Sequence, residues 1–294
     1  MKIGIYGQFY HEHSEKYIQI ILDALQGSDA EVFIESQFVE MLQKHKGIST
    51  DFSKVPTFSE LDASYDLFFS IGGDGTILKS VTFVRDLGIP IVGINSGRLG
   101  FLATIQKENV TQSIQEILDG DYLISERSLL SIQTDPPNKD LEPLNFALNE
   151  IAVNRKNTTS MIKVDTLVND EFLTSYWSDG LIVATPTGST GYSLSCGGPL
   201  IDPSTTSLVI TPIAPHNLNA RPLVIQDDCV IQLRVSGRED NYLVSLDSRI
   251  ATLPNETVIT IKKSPFTIKL VQLNDDTFVK TLREKLLWGE DKRN

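Results

Sequence analysis

The chain has 294 residues, 40% of them apolar, enough for one large or two ordinary domains with a buried core, and not the composition of a disordered chain. Lys and Arg number 26 against 38 Asp and Glu, a formal net charge of −12, so the chain lacks the cationic surface with which proteins displace counterions from nucleic acid or anionic membranes. Two cysteines, Cys196 and Cys229, make neither a disulfide framework nor a C-x-x-C zinc pair. The apolar run at residues 1–7 is too short for a signal peptide, and no stretch reaches the ~18 apolar residues of a spanning helix. The chain is expected in the cytoplasm.

In chain order, residues 3–6, 31–34, 67–71 and 89–94 read as short buried strands. Tyr17, Ile20, Ile21 and Leu25 fall at helical spacing, as do Ile77, Val81 and Val84, and Val110, Ile114 and Leu118. Strands alternating with helices predict a doubly wound α/β domain with a parallel sheet. Beyond Gly120 the pattern changes to strand-like runs at 128–134, 145–154, 162–168, 181–184, 207–212, 230–235, 242–246 and 258–262, separated by turn residues. Asn169-Asp170 is a candidate hairpin turn within this all-β half. Helical spacing returns at Phe278, Leu282 and Leu286, with Trp288 close behind.

Gly72-Gly73-Asp74-Gly75-Thr76 follows an apolar strand and leads into a helix, where open α/β sheets bind ligands and a helix N-terminus offers free N–H groups to phosphate. A P-loop or a dinucleotide fingerprint would each require glycine in place of Leu78. Asp74 is therefore a carboxylate in a glycine turn, suited to binding metal, to taking a proton from a hydroxyl nucleophile, or merely to local backbone hydrogen bonds. In the run 185–199, hydroxyl and glycine residues surround Tyr192, a pattern suited to an anionic or sugar-bearing ligand, or simply to a long Gly/Ser loop. His11-Glu12-His13 lacks a third metal ligand nearby in sequence, Arg155-Lys156 reads as a solvated basic pair, and Cys196 has no neighbouring His to make it a nucleophile.

Gly72 to Thr76, Gly93-Ile94-Asn95-Ser96-Gly97-Arg98-Leu99-Gly100-Phe101-Leu102, Asn149-Glu150 and the run 179–199, with His216 inside 212–222, together resemble the NAD kinase family in order and spacing over nearly the whole chain. The first motif alone is shared with diacylglycerol and sphingosine kinases and phosphofructokinases. The resemblance implies an α/β nucleotide-binding domain over 1–122, a β-sandwich-like dinucleotide-binding domain over 123–272, a helix over 273–294 returning to the first domain, and a homo-oligomer (dimer or tetramer). It also implies transfer of the γ-phosphoryl of ATP to the 2′-hydroxyl of the adenosine ribose of NAD, giving NADP, with Mg²⁺ or another divalent cation on the phosphates and no metal ligand assigned from the protein.

By position, the resemblance makes Asp74 the general base and Gly72, Gly73, Gly75 and Thr76 the phosphate loop. Gly75 and Lys79 would contact the dinucleotide, Asn149 and Glu150 would hold its hydroxyl and amide groups, and Asp179 its nicotinamide end. Thr190, Gly191, Tyr192, Ser193, Leu194 and Ser195 would bind the adenosine, with Ser160, Trp177, Ala214 and Arg249 as further contacts. Ser160 and Trp177 are not the residues expected there, Gly191 stands where Ala is common, and Asp247-Ser248-Arg249 replaces the expected Asp-Gly-Gln. Two other readings fit less well: a lipid kinase of the diacylglycerol type, for which the acidic chain lacks a basic membrane face, and a dinucleotide sensor, which has little use for Asp74.

Overall fold

The computed structural model describes residues 1–8, 14–45, 47–97, 100–157 and 160–287. His11-Glu12-His13, Arg98-Leu99 and Trp288 lie outside them. The chain forms two compact units, one of residues 1–126 with 268–294 and the other of residues 127–267.

The first unit is built on parallel strands. Lys2–Gly7 pairs with Glu31–Glu35 on one side and Leu67–Gly72 on the other; Thr57–Phe58 extends the first side, and Ile91–Asn95 the second. Ile91–Asn95 also pairs with Ile105–Gln106 and, through Ile91 and Leu270, with the end of Val258–Gln272. Every residue of Leu67–Gly72 and Ile91–Asn95 is buried, which is why these strands are short continuous apolar runs without alternation. Strand order reverses between Lys2–Gly7 and Leu67–Gly72, so the carboxyl end of the latter, Gly72, sits at the topological switch point of the sheet. The helices Ser14–Gln26 and Val110–Leu118 supply Ile18, Ile21, Leu22, Leu25, Ile114 and Ile117 to the core. Ser36–Leu42 is a helix that periodicity did not anticipate, and the C-terminal helix spans Phe278–Leu286.

The second unit contains an antiparallel six-stranded sheet in the order Leu223–Gln226, Ser207–Ile213, Gly180–Ala184, Glu150–Asn154, Asn241–Leu246, Arg249–Pro254. A further antiparallel ladder runs from Glu171–Ser178 through Ile162–Val168 and Ile231–Ser236 to the first part of Val258–Gln272. Val164, Leu233 and Val235 from this ladder share one core with Ile151, Val153, Leu181, Val183, Tyr242 and Val244, the packing of a β-sandwich. The other face of the six-stranded sheet buries Ala152, Ile182, Ala184 and Val209 under Ile201. Asn169 and Asp170 both have positive φ, as a tight two-residue hairpin requires.

One run is corrected. Residues 145–154 are not a single strand but Phe146–Ala147, paired with Leu123–Asp135, followed by Glu150–Asn154 in the six-stranded sheet. The break falls at Leu148-Asn149 because those two N–H groups leave the ladder for the carboxylate of Asp247.

Candidate functional site

In the first unit, Gly73 is the N-cap of the helix Asp74–Val84, so Asp74 occupies the first helical turn, where the helix dipole favours a negative charge. A side chain on Gly72 would stand 2.2 Å from the Thr76 hydroxyl, so this turn can close only over glycine. The Asp74 carboxylate is not bonded locally. Oδ2 accepts the N–H of Phe101 at 2.8 Å, and Oδ1 accepts those of Leu102 and Ala103 at 3.0 and 3.1 Å. Asn95 shapes the same loop, accepting from Gly97 N–H and donating to the Ala103 carbonyl. Three backbone bonds thus fix the carboxylate, and Oδ2, with one of them, is the oxygen with the greater spare acceptor capacity. Gly75 and Lys79 are exposed one turn apart on the same helix. Thr76 is buried, with no hydrogen-bond partner for its hydroxyl.

In the second unit, the segment 148–150 is pinned along its backbone. Asp247 accepts the N–H groups of Leu148, Asn149 and Glu150 at 2.9, 2.8 and 3.2 Å. Thr185 donates its hydroxyl to the Leu148 carbonyl at 2.6 Å and its N–H to the Asn149 carbonyl at 2.9 Å; Asp247 N–H reaches the Glu150 carbonyl at 3.0 Å. The side chains are the opposite case. Asn149 Oδ1 and Glu150 Oε2 are buried without a hydrogen-bond partner. A buried polar atom left unpaired is costly unless a ligand or water completes it, so these oxygens are open to such a partner. Burial, with the Asp247 carboxylate beside it, pushes the Glu150 carboxyl up to about 7, opposed by a bond from Tyr192 N–H.

The loop facing Glu150 is ordered rather than a loose Gly/Ser connection: Thr187–Thr190 forms a 3₁₀ turn and Tyr192–Ser195 a short helical turn. Gly188 packs on the Asn149 backbone so closely that a Cβ would stand 2.0 Å from its carbonyl oxygen, and a Cβ on Gly191 would stand 2.9 Å from Glu150 Oε2. Tyr192 and Ser195 are exposed, whereas Ser193 is buried with its hydroxyl 2.8 Å from that of Thr211. The Ser193 side chain is therefore committed within the protein. Asp179 pairs with Arg155 at 3.0 Å, so Arg155 is not the solvated cation expected from sequence. Burial raises the Cys196 thiol, with Glu150 adding to the shift, which agrees with its not being a nucleophile.

Ser160 and Trp177 line a separate cavity of about 580 Å³ with Met161, Lys163, His216 and Arg238. Ala214 is exposed with positive φ. Arg249, assigned to the ligand by resemblance, instead donates to the carbonyls of Leu144 and Phe146 and lies over the Phe146 ring. Sequence reasoning gave no role of their own to Gly100, which lies against the Asp74 carboxylate, or to Thr185 and Asp247, which bond backbone. Among the described residues no three acidic, His or Cys side chains converge as a metal site, and no helix is long and apolar enough to cross a membrane.

An α/β unit with an acid at its switch point, and an antiparallel unit presenting unpaired buried oxygens, are the two parts of a phosphotransferase. Residues 3–122 match the ATP-NAD kinase N-terminal domain, and residues 148–273 the ATP-NAD kinase C-terminal domain. The chain is 61% identical to the NAD kinase of Christiangramia forsetii and 56% identical to that of Flavobacterium johnsoniae, each over 294 residues covering all of both chains. The crystal structure of an NAD kinase from Archaeoglobus fulgidus in complex with ATP superposes with a TM-score of 0.75 at 26% identity, covering 98% of this chain and 99% of that one. Yeast NADH kinase complexed with NADH shares the fold at a TM-score of 0.83 and 22% identity, covering 99% of this chain and 88% of that one. The chain belongs to the NAD kinase family.

Proposed function

We propose that the chain transfers the γ-phosphoryl of ATP to the 2′-hydroxyl of the adenosine ribose of NAD, giving NADP, with Asp74 as general base. The observation that carries this reading is the fixed Asp74 carboxylate, held by Phe101, Leu102 and Ala103 N–H. Phosphoryl transfer passes through a loose transition state in which positioning and charge neutralisation dominate. The attacking alcohol loses its proton late, so an ordinary carboxylate held in place is an adequate acceptor. Gly72, Gly73, Gly75 and Thr76 present the helix N-terminus to phosphate, and Lys79 adds a cation one turn on.

Asn149 and Glu150 bind the dinucleotide through the oxygens that the fold leaves unpaired. Asp179 takes its nicotinamide end, and residues 190–195 its adenosine, with Tyr192 as an exposed aromatic surface. The divalent cation of this reading enters with the donor substrate as MgATP. The ATP-bound archaeal relative supports ATP as donor.

Self-association is part of the same proposal. The strand Glu171–Ser178 ends its ladder and exposes Phe172 at 60% and Trp177 at 48%; His216 and Asn217 bond its backbone at Ser175 and Trp177, and the end around Phe172 is an exposed apolar stretch of the kind that partners cover. Light scattering after gel filtration should give a dimer or tetramer; a monomer at micromolar concentration refutes this part alone. For the reaction, the protein is incubated with NAD, ATP and Mg²⁺, and NADP is read with a strictly NADP-dependent dehydrogenase. Absence of NADP, with calorimetric NAD binding intact, would instead make the chain a sensor.

A further inference from the structure

The backbone around Asn149 and Glu150 is gripped from one hairpin. Asp247 opens, and Arg249 follows, the two-residue turn that joins Asn241–Leu246 to Arg249–Pro254. The Asp247 carboxylate collects the N–H groups of Leu148, Asn149 and Glu150, and the Arg249 guanidinium donates to the carbonyls of Leu144 and Phe146. One acceptor and one donor side chain, two residues apart, thus satisfy both polarities of a single segment at the place where it crosses between sheets. Asp247 has positive φ (52°), as the first residue of a two-residue hairpin turn requires. The segment ends in Asn149 and Glu150, each with one side-chain oxygen, Oδ1 and Oε2, that has no partner.

We propose that Asp247 and Arg249 are positioning residues for dinucleotide binding: by clamping residues 144–150 they hold Asn149 and Glu150 in the binding conformation before the ligand arrives. Arg249 then acts on backbone carbonyls, not on the ligand, in the place where the family pattern has glutamine. The proposal rests on the reading of Asn149 and Glu150 as dinucleotide contacts. A site whose own backbone is prearranged spends less of the ligand's binding free energy on ordering.

The clamp also sets the charge around Glu150. The groups facing it are the Asp247 carboxylate, which disfavours its ionisation, and the Tyr192 N–H, which favours it; the Cys196 thiol and Tyr192 phenol in turn feel its charge. Arg249 partly neutralises Asp247. Removing the Asp247 carboxylate therefore takes away one of the two causes that hold the Glu150 carboxyl up, whereas removing the guanidinium acts first on Asp247.

The test compares Asp247→Asn, Arg249→Met and Arg249→Lys with the wild-type chain, measuring NADP formation and calorimetric NAD binding from pH 5.5 to 8.5. Asp247→Asn and Arg249→Met should raise KM and Kd for NAD about tenfold, with kcat at saturating NAD within about threefold of wild type, and Arg249→Lys, which keeps a donor for one carbonyl, should recover part of the loss. The pH inflection of NAD affinity should move toward acid in Asp247→Asn. Unchanged KM in Arg249→Met, or an inflection moving toward alkali in Asp247→Asn, overturns the proposal. Should Asp247→Asn fail to fold, Arg249→Met decides alone through its KM and its partial rescue by lysine. A wild-type chain that makes no NADP overturns the functional reading instead, and calorimetric NAD binding still tests the clamp.

Discussion

Gly100 lies against Asp74 so closely that a methyl group on its Cα would stand 1.9 Å from Asp74 Oδ1. The absent side chain lets the 101–103 backbone reach the carboxylate, so Gly100→Ala must push the two apart. Misplacing a reacting group by about 1 Å costs on the order of 10² in rate, and a fall in kcat of at least ~10² is expected. Steady-state NADP formation reads it, and wild-type turnover in this variant would mean that the observed carboxylate position is not the productive one.

Asp74→Asn separates the charge from the position. The amide has nearly the same shape but cannot take a proton, and its NH₂ group would face backbone N–H donors where the carboxylate now faces them as an acceptor. We expect kcat to drop by at least ~10² while calorimetric NAD affinity stays within a few-fold. Near-normal turnover would remove the general-base role.

The α/β half was legible because strands buried on both faces write themselves as short apolar runs; 67–71 was expected and Leu67–Gly72 is found. Ser36–Leu42 was not, since seven residues give too few turns for a period to register. In the antiparallel half, Leu223–Gln226 escaped because it is short, and Arg249–Pro254 because its exposed Ile250, beside the buried Ala251, breaks the alternation of apolar and polar residues. Residues 145–154 read as one strand because no local pattern records that Asn149 N–H bonds a carboxylate 98 residues away. The same blindness left Gly100, Thr185 and Asp247 without roles, although each stood inside a quoted motif as Asp74, Asn149 and Glu150 did: Gly100 makes room beside Asp74, and Thr185 and Asp247 bond the backbone of 148–150, all partners distant in sequence.

Glu150 makes stability depend on pH. Folding raises its carboxyl from 4.5 to about 7, through burial and then the neighbouring Asp247, so between those values the folded chain holds a proton that the unfolded chain has released. Stability from the protonated form is complete below 4.5 and is lost as pH rises through 7. The Asp247 carboxyl, raised mainly by burial, shifts in the same sense. Glu150→Gln removes the Glu150 contribution, about 3 kcal/mol at ~1.4 kcal/mol per unit. Its melting temperature should match wild type near pH 5 and exceed it by several degrees near pH 8; equal melting curves at both values would show that Glu150 ionises as freely folded as unfolded.

Thr185 is fully buried, and its hydroxyl works in two directions, donating to the Leu148 carbonyl at 2.6 Å and accepting the Gly188 N–H at 3.1 Å. It thereby ties the pinned 148–150 segment to the 3₁₀ turn that faces Glu150. Thr185→Val keeps the shape but leaves a buried carbonyl and a buried N–H without partners, each costing about 1–3 kcal/mol. Thr185→Ser keeps both bonds and loses only a methyl group, a cost of about 1 kcal/mol. The valine variant should therefore melt well below the serine variant, by several degrees in a calorimetric scan. Its KM for NAD should also rise, because Asn149 and the 187–190 turn would no longer be held together. If valine and serine melt alike, the hydroxyl bonds contribute nothing that the methyl packing does not, and the backbone pinning of Asn149 and Glu150 rests on Asp247 and the Thr185 N–H.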